Sequence, residues 1–317
     1  MAKEPNPYLL HRLQEYIEAC GSQNKAASNL GISSPIISQY RRGVYAGDVD
    51  GIERQLKEFF KASDEQSTMH QRRYPYVEVS AYIPTSVSED VYKAIRYCQL
   101  ERGMVVLHGD AGIGKTKAAE KFVLENPSAA IYIQATPSSG TLNSLLKLLA
   151  RALKIPDVRS KLDLMINIRE RLEGTNKVII IDEAQHLKLS ALEEIRTLSD
   201  PNTITGQTGT GIVLIGNTEV YSRMLGKQEA RFAQLFSRIR MNRYYSTSNI
   251  TKDDVHKLFP CLGKPEADKQ AEFLLGICQS KWGVRGAVNV YNNAVNSDDI
   301  SYEGLYKMAR SMGIGLM

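Results

Sequence analysis

Four short runs of apolar, largely β-branched residues, MVVLH, AAIYIQ, KVIIID and GIVLIGN, recur between Met104 and Asn217 with helix-patterned segments between them. Side chains alternate between the two faces of a strand, so a run that is apolar at every position must be buried on both sides. Strands of that kind alternating with amphipathic helices fold as an α/β architecture, a parallel sheet with helices on both faces. Leu142, Leu145, Leu146, Leu149 and Leu153 lie on one helical stripe between the second and third runs, the pattern of a helix laid on such a sheet.

The remaining chain divides around this core. At 317 residues it is too long for one small domain. Residues 1–61 read as a small all-α domain, with Leu9, Leu13 and Ile17 early and Ile52, Leu56, Phe59 and Phe60 late at helical spacing. Residues 62–86 are polar, contain two prolines and show no sustained period, which reads as a linker or strap. The α/β core then spans 87–245, and 246–317 reads as an all-helical lid, opened by Thr251 as an N-cap with Asp253 and Asp254 in the first turn.

No apolar run approaches the roughly 18 residues of a membrane helix, and the amino-terminal stretch lacks an apolar h-region with a cleavage site. A cytosolic protein with no membrane partner is expected. Cys20, Cys98, Cys261 and Cys278 have no short paired spacing, which argues against a structural zinc site or a disulfide framework. The net charge of +5 permits a polyanionic partner without requiring one.

Directly after the first apolar run stands GDAGIGKT, which fits G-x-x-x-x-G-K-[ST]. A strand before it and a helix after it turn backbone N–H groups and the positive end of the helix dipole toward a phosphate chain. Gly109, Asp110, Ala111, Gly112, Ile113, Gly114, Lys115, Thr116 and Lys117 are therefore expected to bind ATP, with glycine allowing close approach of the backbone to phosphate. Lys115 is suited to the β- and γ-phosphates and the Thr116 hydroxyl to Mg²⁺. The third run ends in Asp182 and Glu183. Ligands in open α/β sheets sit at the carboxyl ends of strands, so Asp182 is expected beside the loop as a second Mg²⁺ ligand, with Glu183 next to it to activate water. The chain is thereby expected to be a P-loop ATPase.

In the amino-terminal domain, NKAASNLGISSPIISQYRRG has the pattern of a helix-turn-helix: Ala26, Ala27 and Leu30 inside, Gly31 at the turn, Ser33 opening the second helix. Ser33, Ser34, Gln39, Arg41 and Arg42 are then the residues presented to DNA. A protein-docking helical domain has the same small-residue turn, so both readings stand.

The order GDAGIGKT, VIIIDEAQHL, VLIGN, LFSRIR and GVRGAVN, together with ATPSS after the second strand, resembles AAA+ ATPases of mobile genetic elements. The phage Mu type of transposition ATPase is the first likeness, the transposon Tn7 and IstB-type helper ATPases more distant ones. The resemblance covers most of the chain, including the amino-terminal helices. It implies an ATP-dependent regulator of transposition in the cytoplasm of a bacterial host. Such a regulator assembles as helical oligomers on double-stranded DNA with little regard to sequence, selects target DNA and recruits or activates a transposase, with hydrolysis driving disassembly.

Within AAA+ geometry, Asn217 orients the attacking water, Arg238 enters a neighbouring subunit's site with Arg231 as its substitute, and Arg285 reaches the phosphates from the lid. The bland alternatives are a turn residue for Asn217 and a surface ion pair for Arg238. The loop after the second strand faces DNA in such assemblies, which here assigns Thr136, Ser138 and Ser139; the same hydroxyls equally suit capping of the next helix. Lys147, Arg151, Lys154, Arg159 and Lys161 either widen a DNA track or form a solvated helix face. Two other functions fit the motifs: a helix-turn-helix transcriptional regulator with an ATPase switch, and a secretion- or motor-type AAA+ ATPase.

Overall fold

The computed structural model describes residues 5–68, 76–78, 81–156, 158, 160–204, 206–224 and 239–315. The chain forms two compact units that divide between Arg73 and Tyr74.

The first unit contains four helices, α1 (Pro7–Cys20), α2 (Gln23–Leu30), α3 (Ser34–Arg41) and α4 (Val49–Thr68). Leu9, Leu13, Leu30, Ile37, Leu56 and Phe60 close its apolar core. Gly31 caps α2 and the chain turns at once into α3. A buried Tyr40 hydroxyl donates to Glu53 Oε1 at 3.1 Å, and that oxygen also accepts the Asn6 N–H at 2.8 Å. Burial and the neighbouring carboxylate push the Tyr40 hydroxyl pKa well up, so it stays a neutral donor.

The second unit is built on a five-stranded, all-parallel sheet in the order β2-β3-β4-β1-β5, with β1 Met104–Gly109, β2 Ala130–Gln134, β3 Val178–Asp182, β4 Gly211–Gly216 and β5 Ile239–Tyr245. Strict alternation places Val105, Leu107, Ile180, Val213 and Ile215 on one face and Met104, Val106, Ile181, Ile212 and Leu214 on the other. The first face is covered by α5 (Ser86–Glu101) and α6 (Lys115–Glu125), the second by α7 (Leu142–Ala152), α8 (Lys161–Leu172) and α9 (Leu189–Arg196); a short α10 (Thr218–Met224) follows β4. The leucine stripe expected from sequence is the buried face of α7.

Past β5 only helices occur among the described residues: α11 (Lys252–Leu258), α12 (Asp268–Cys278), α13 (Gly283–Asn296), α14 (Tyr302–Ser311) and short 3-10 turns. Thr251 caps α11 in a capping box, accepting the Asp254 N–H at 3.2 Å while Asp254 Oδ2 accepts the Thr251 N–H at 2.9 Å. Asp254 also accepts the Ser86 N–H at 2.6 Å, which ties the start of α11 to the start of α5. Burial pushes the Asp254 carboxyl pKa up, but these hydrogen bonds outweigh it and hold the pKa below the usual carboxylate range.

α4 runs on through Thr68, and Val77 is inserted against α13, where Asn292 accepts its N–H at 3.0 Å and donates to its carbonyl at 2.8 Å. Core and lid belong to one unit. No helix among the described residues is long and apolar enough to cross a membrane.

Candidate active site

The loop 109–114 leaves the carboxyl end of β1, and α6 begins at Lys115, so loop N–H groups and the positive end of a helix point into one space. Gly109 is demanded by the adjacent strand. Its φ is +138°, and a Cβ there would stand 2.0 Å from the Tyr245 carbonyl oxygen, which accepts the Asp110 N–H at 2.9 Å.

A cavity of about 370 Å³ opens between this loop and the lid. Gly109, Ala111 to Lys117, Asp182, Glu183, Asn217 and Arg285 all line it. Asp110 does not line it. Its carboxylate turns to the lid side, accepting the Thr247 N–H at 2.7 Å and the Tyr244 hydroxyl at 3.5 Å, so it braces the loop. Lys117 reaches the rim, where its ammonium pairs with Glu120 at 2.7 Å.

Lys115 is 8% exposed, and its ammonium donates to the carbonyls of Gly109 at 3.1 Å and Asp110 at 2.6 Å. Burial lowers its pKa to about 8 against the opposing pull of Asp182, Asp110 and Glu183. The Thr116 hydroxyl donates to Asp182 Oδ2 at 2.8 Å. Tyr132, from β2, donates to the same oxygen at 2.9 Å; burial and the Asp182 charge push its own pKa well up. Nothing in the sequence marks Tyr132, because a tyrosine within an apolar strand carries no sign of its reach to the next strand.

Glu183 has φ +54°, in the left-handed region, and its N–H donates to Asp182 Oδ1 at 2.9 Å. Asn217 directly follows β4; its Oδ1 accepts the Glu219 N–H at 2.9 Å, so it serves as the turn residue before α10 while lining the cavity. Arg285 is anchored to the loop by its backbone, N–H to Gly112 carbonyl at 3.2 Å. The apolar end of the cavity is formed by Val77, Ile83, Leu258, Val284 and Val288, a surface suited to a flat base. These residues come from the strap and the lid, and the sequence offered no period or motif to flag them.

Among the described residues no group of three or more His, Cys, Asp or Glu is placed to hold a metal. The Thr116 hydroxyl and Asp182 carboxylate offer oxygen donors of the kind a hard cation shared with phosphates requires, so the donor set fits Mg²⁺.

The model of the AAA domain family matches residues 98–224. The chain is 28% identical over 287 residues to the Mu-like prophage FluMu DNA transposition protein B of Haemophilus influenzae, covering 89% of this chain and 95% of that protein. It is 30% identical over 267 residues to the ATP-dependent target DNA activators B of Escherichia phages Mu and D108, covering 84% of this chain and 79% of each relative. The chain belongs to the family of the phage target DNA activators B. Among solved structures, Cdc6p from Pyrobaculum aerophilum shares the fold, with a TM-score of 0.55 at 15% identity over 73% of this chain and 69% of that one. This member of the activator B family is thus a AAA+ ATPase.

The remaining expected residues of this activator B relative fall as follows. Arg231 and Arg238, and also Arg159, lie outside the described residues. Thr136, Ser138 and Ser139 bond to one another in a turn, with the Thr136 hydroxyl 3.0 Å from that of Ser138 and its N–H donating to Ser139 Oγ at 2.8 Å. They do not cap α7; Thr141 does, accepting the Ser144 N–H at 3.3 Å. In the first unit Ser33, Gln39, Arg41 and Arg42 are exposed, whereas Ser34 is half-buried and accepts from Gln23 Nε2 at 3.0 Å. Arg41 is held by Gln23 at 3.1 Å and by Gln14.

Proposed function

We propose that this chain is an ATP-dependent regulator of DNA transposition that assembles as a helical oligomer on double-stranded DNA, selects target DNA and recruits or activates a transposase. The observation that carries this reading is the 30% identity to two ATP-dependent target DNA activators across 84% of the chain, joined to a complete P-loop and acidic pair around one cavity. A likeness of that extent exceeds what a shared ATPase core alone would produce.

In this reading the base rests against Val77, Ile83 and Val288, and Lys115 holds the β- and γ-phosphates by charge. Mg²⁺, when bound by Thr116 and Asp182, neutralises charge developing on the phosphate oxygens. Glu183 takes the proton of the attacking water, which Asn217 orients. Arg238, or Arg231 in its place, completes the site from a neighbouring subunit, so hydrolysis depends on assembly. Arg285 reports closure of the lid. Thr136, Ser138, Ser139 and the exposed residues of α3 contact DNA phosphates and bind with little sequence preference.

Electron microscopy of the protein with ATP, with and without duplex DNA, tests the proposal. Helical filaments that need both components are expected. A single occupied operator in footprinting, with no coating of longer DNA, would instead mark a transcriptional regulator.

A further inference from the structure

Gln185 sits in the 3-10 turn Ala184–His186, immediately beyond Glu183, and is a buried polar residue at 8% exposure. Its side-chain amide works in two directions. Nε2 donates to the Glu183 carboxylate at Oε2, and Oε1 accepts the backbone N–H of Asn217 at 3.3 Å. Glu183 and Asn217 both line the nucleotide cavity and Gln185 does not, so the amide stands behind the two residues that face the ligand. We infer that Gln185 is a positioning residue for hydrolysis, holding the Glu183 carboxylate and the Asn217 end of β4 in one fixed relation. This rests on the reading of Glu183 as the water-activating base.

The surroundings support that role. A glutamate side chain at a cavity wall has rotamer freedom, and a base must be held near its attack geometry before its pKa matters. The left-handed backbone of Glu183 sets where its side chain departs, and the bond to Gln185 sets where it ends. β4 is bare where the amide lies: a Cβ on Gly216 would come within 2.4 Å of Gln185 Oε1. A primary amide is also the one side-chain type of this length with both a donor and an acceptor. Glutamate in its place offers acceptors alone, and leucine offers neither.

The turn carrying Gln185 is itself fastened to the loop after β2. Lys188 N–H donates to the Gly140 carbonyl at 2.8 Å, and a Cβ on Gly140 would fall 2.0 Å from the His186 carbonyl oxygen. The amide therefore has a rigid base on one side and the catalytic carboxylate on the other.

Gln185→Leu and Gln185→Glu are compared with the parent and with Glu183→Gln, as full-length chains with saturating Mg-ATP and duplex DNA. The expected result is a Kd for nucleotide within about twofold of the parent and a kcat lowered by about tenfold or more in both Gln185 variants. Gln185→Glu keeps the length and shape of the side chain and loses only the donor to Glu183, so a lowered kcat at parental nucleotide Kd and parental unfolding midpoint marks positioning rather than folding. Parental kcat in both Gln185 variants, with Glu183→Gln inactive, overturns the inference and leaves the base assignment standing. Parental turnover by Glu183→Gln overturns the base assignment itself. Should Gln185→Leu fail to unfold cooperatively, Gln185→Glu decides, and a parental kcat there overturns the inference.

Discussion

The Thr116 hydroxyl donates to Asp182 Oδ2 at 2.8 Å, joining two motifs that stand 66 residues apart in the chain. β1 and β3 flank β4 in the sheet, so the residue after the P-loop lysine and the last residue of β3 emerge at the same sheet edge. Asp182→Asn keeps the shape and removes the charge. The half-saturating Mg²⁺ concentration for ATP hydrolysis should rise by at least about tenfold, since a hard cation is held chiefly by charged oxygen. An unchanged Mg²⁺ titration would show that Asp182 serves Thr116 and Tyr132 alone.

Lys115 gives a pH dependence with a definite sign. Burial lowers its pKa to about 8 in the free protein, whereas bound phosphates favour the charged form. Above that pH the complex carries more protons than the free protein, so binding takes up a proton and weakens as pH rises. The Kd for ATP, measured by fluorescence titration at constant ionic strength, should increase about tenfold from about pH 7 to about pH 9. Lys115→Ala should lose nucleotide binding, whereas Glu183→Gln should bind ATP and hydrolyse it slowly.

Asn292 is 3% exposed and is the hydrogen-bond partner of both polar groups of Val77. Asn292→Leu removes both partners and leaves a buried N–H and C=O unpaired, at a cost of about 1–3 kcal/mol for each group. Chemical denaturation should show a loss of that order. Nucleotide affinity should fall with it, because Val77 lines the apolar end of the cavity.

DNA binding should require ATP, and its affinity should fall at least tenfold between about 50 and about 200 mM salt, because phosphate contacts release counterions. The unit boundary places the cut for testing the helix-turn-helix at Arg73 rather than within α4. Removing residues 1–73 should weaken DNA binding and leave ATP-dependent assembly intact. Tight, sequence-specific binding by nucleotide-free monomers would refute this.

An arginine finger contributes about 10³–10⁵ in rate, so Arg238→Ala should bind ATP and barely hydrolyse it. Mixing Arg238→Ala with Lys115→Ala should restore part of the activity where an intact P-loop meets an intact Arg238. Mixed assemblies that form and stay inactive would redirect the assignment to Arg231.

Sequence alone determined the parallel sheet, the P-loop motif, the acidic pair, the helices after β5 and the Thr251 cap. Each of these rests on neighbouring residues: continuous apolar, β-branched runs, a glycine-rich loop between strand and helix, a capping hydroxyl before a helix. It also limited the apolar stripe of α7 to core packing. Tertiary structure decided everything that joins distant segments. Val77 reaching Asn292, Tyr132 reaching Asp182, Asp110 turning to Thr247, and Gln185 bridging Glu183 and Asn217 all depend on which strands and helices become neighbours. Hydrogen bonds of this kind leave no periodicity, because a side chain's partner is set by the path of another segment through space, and residue type alone does not encode that path.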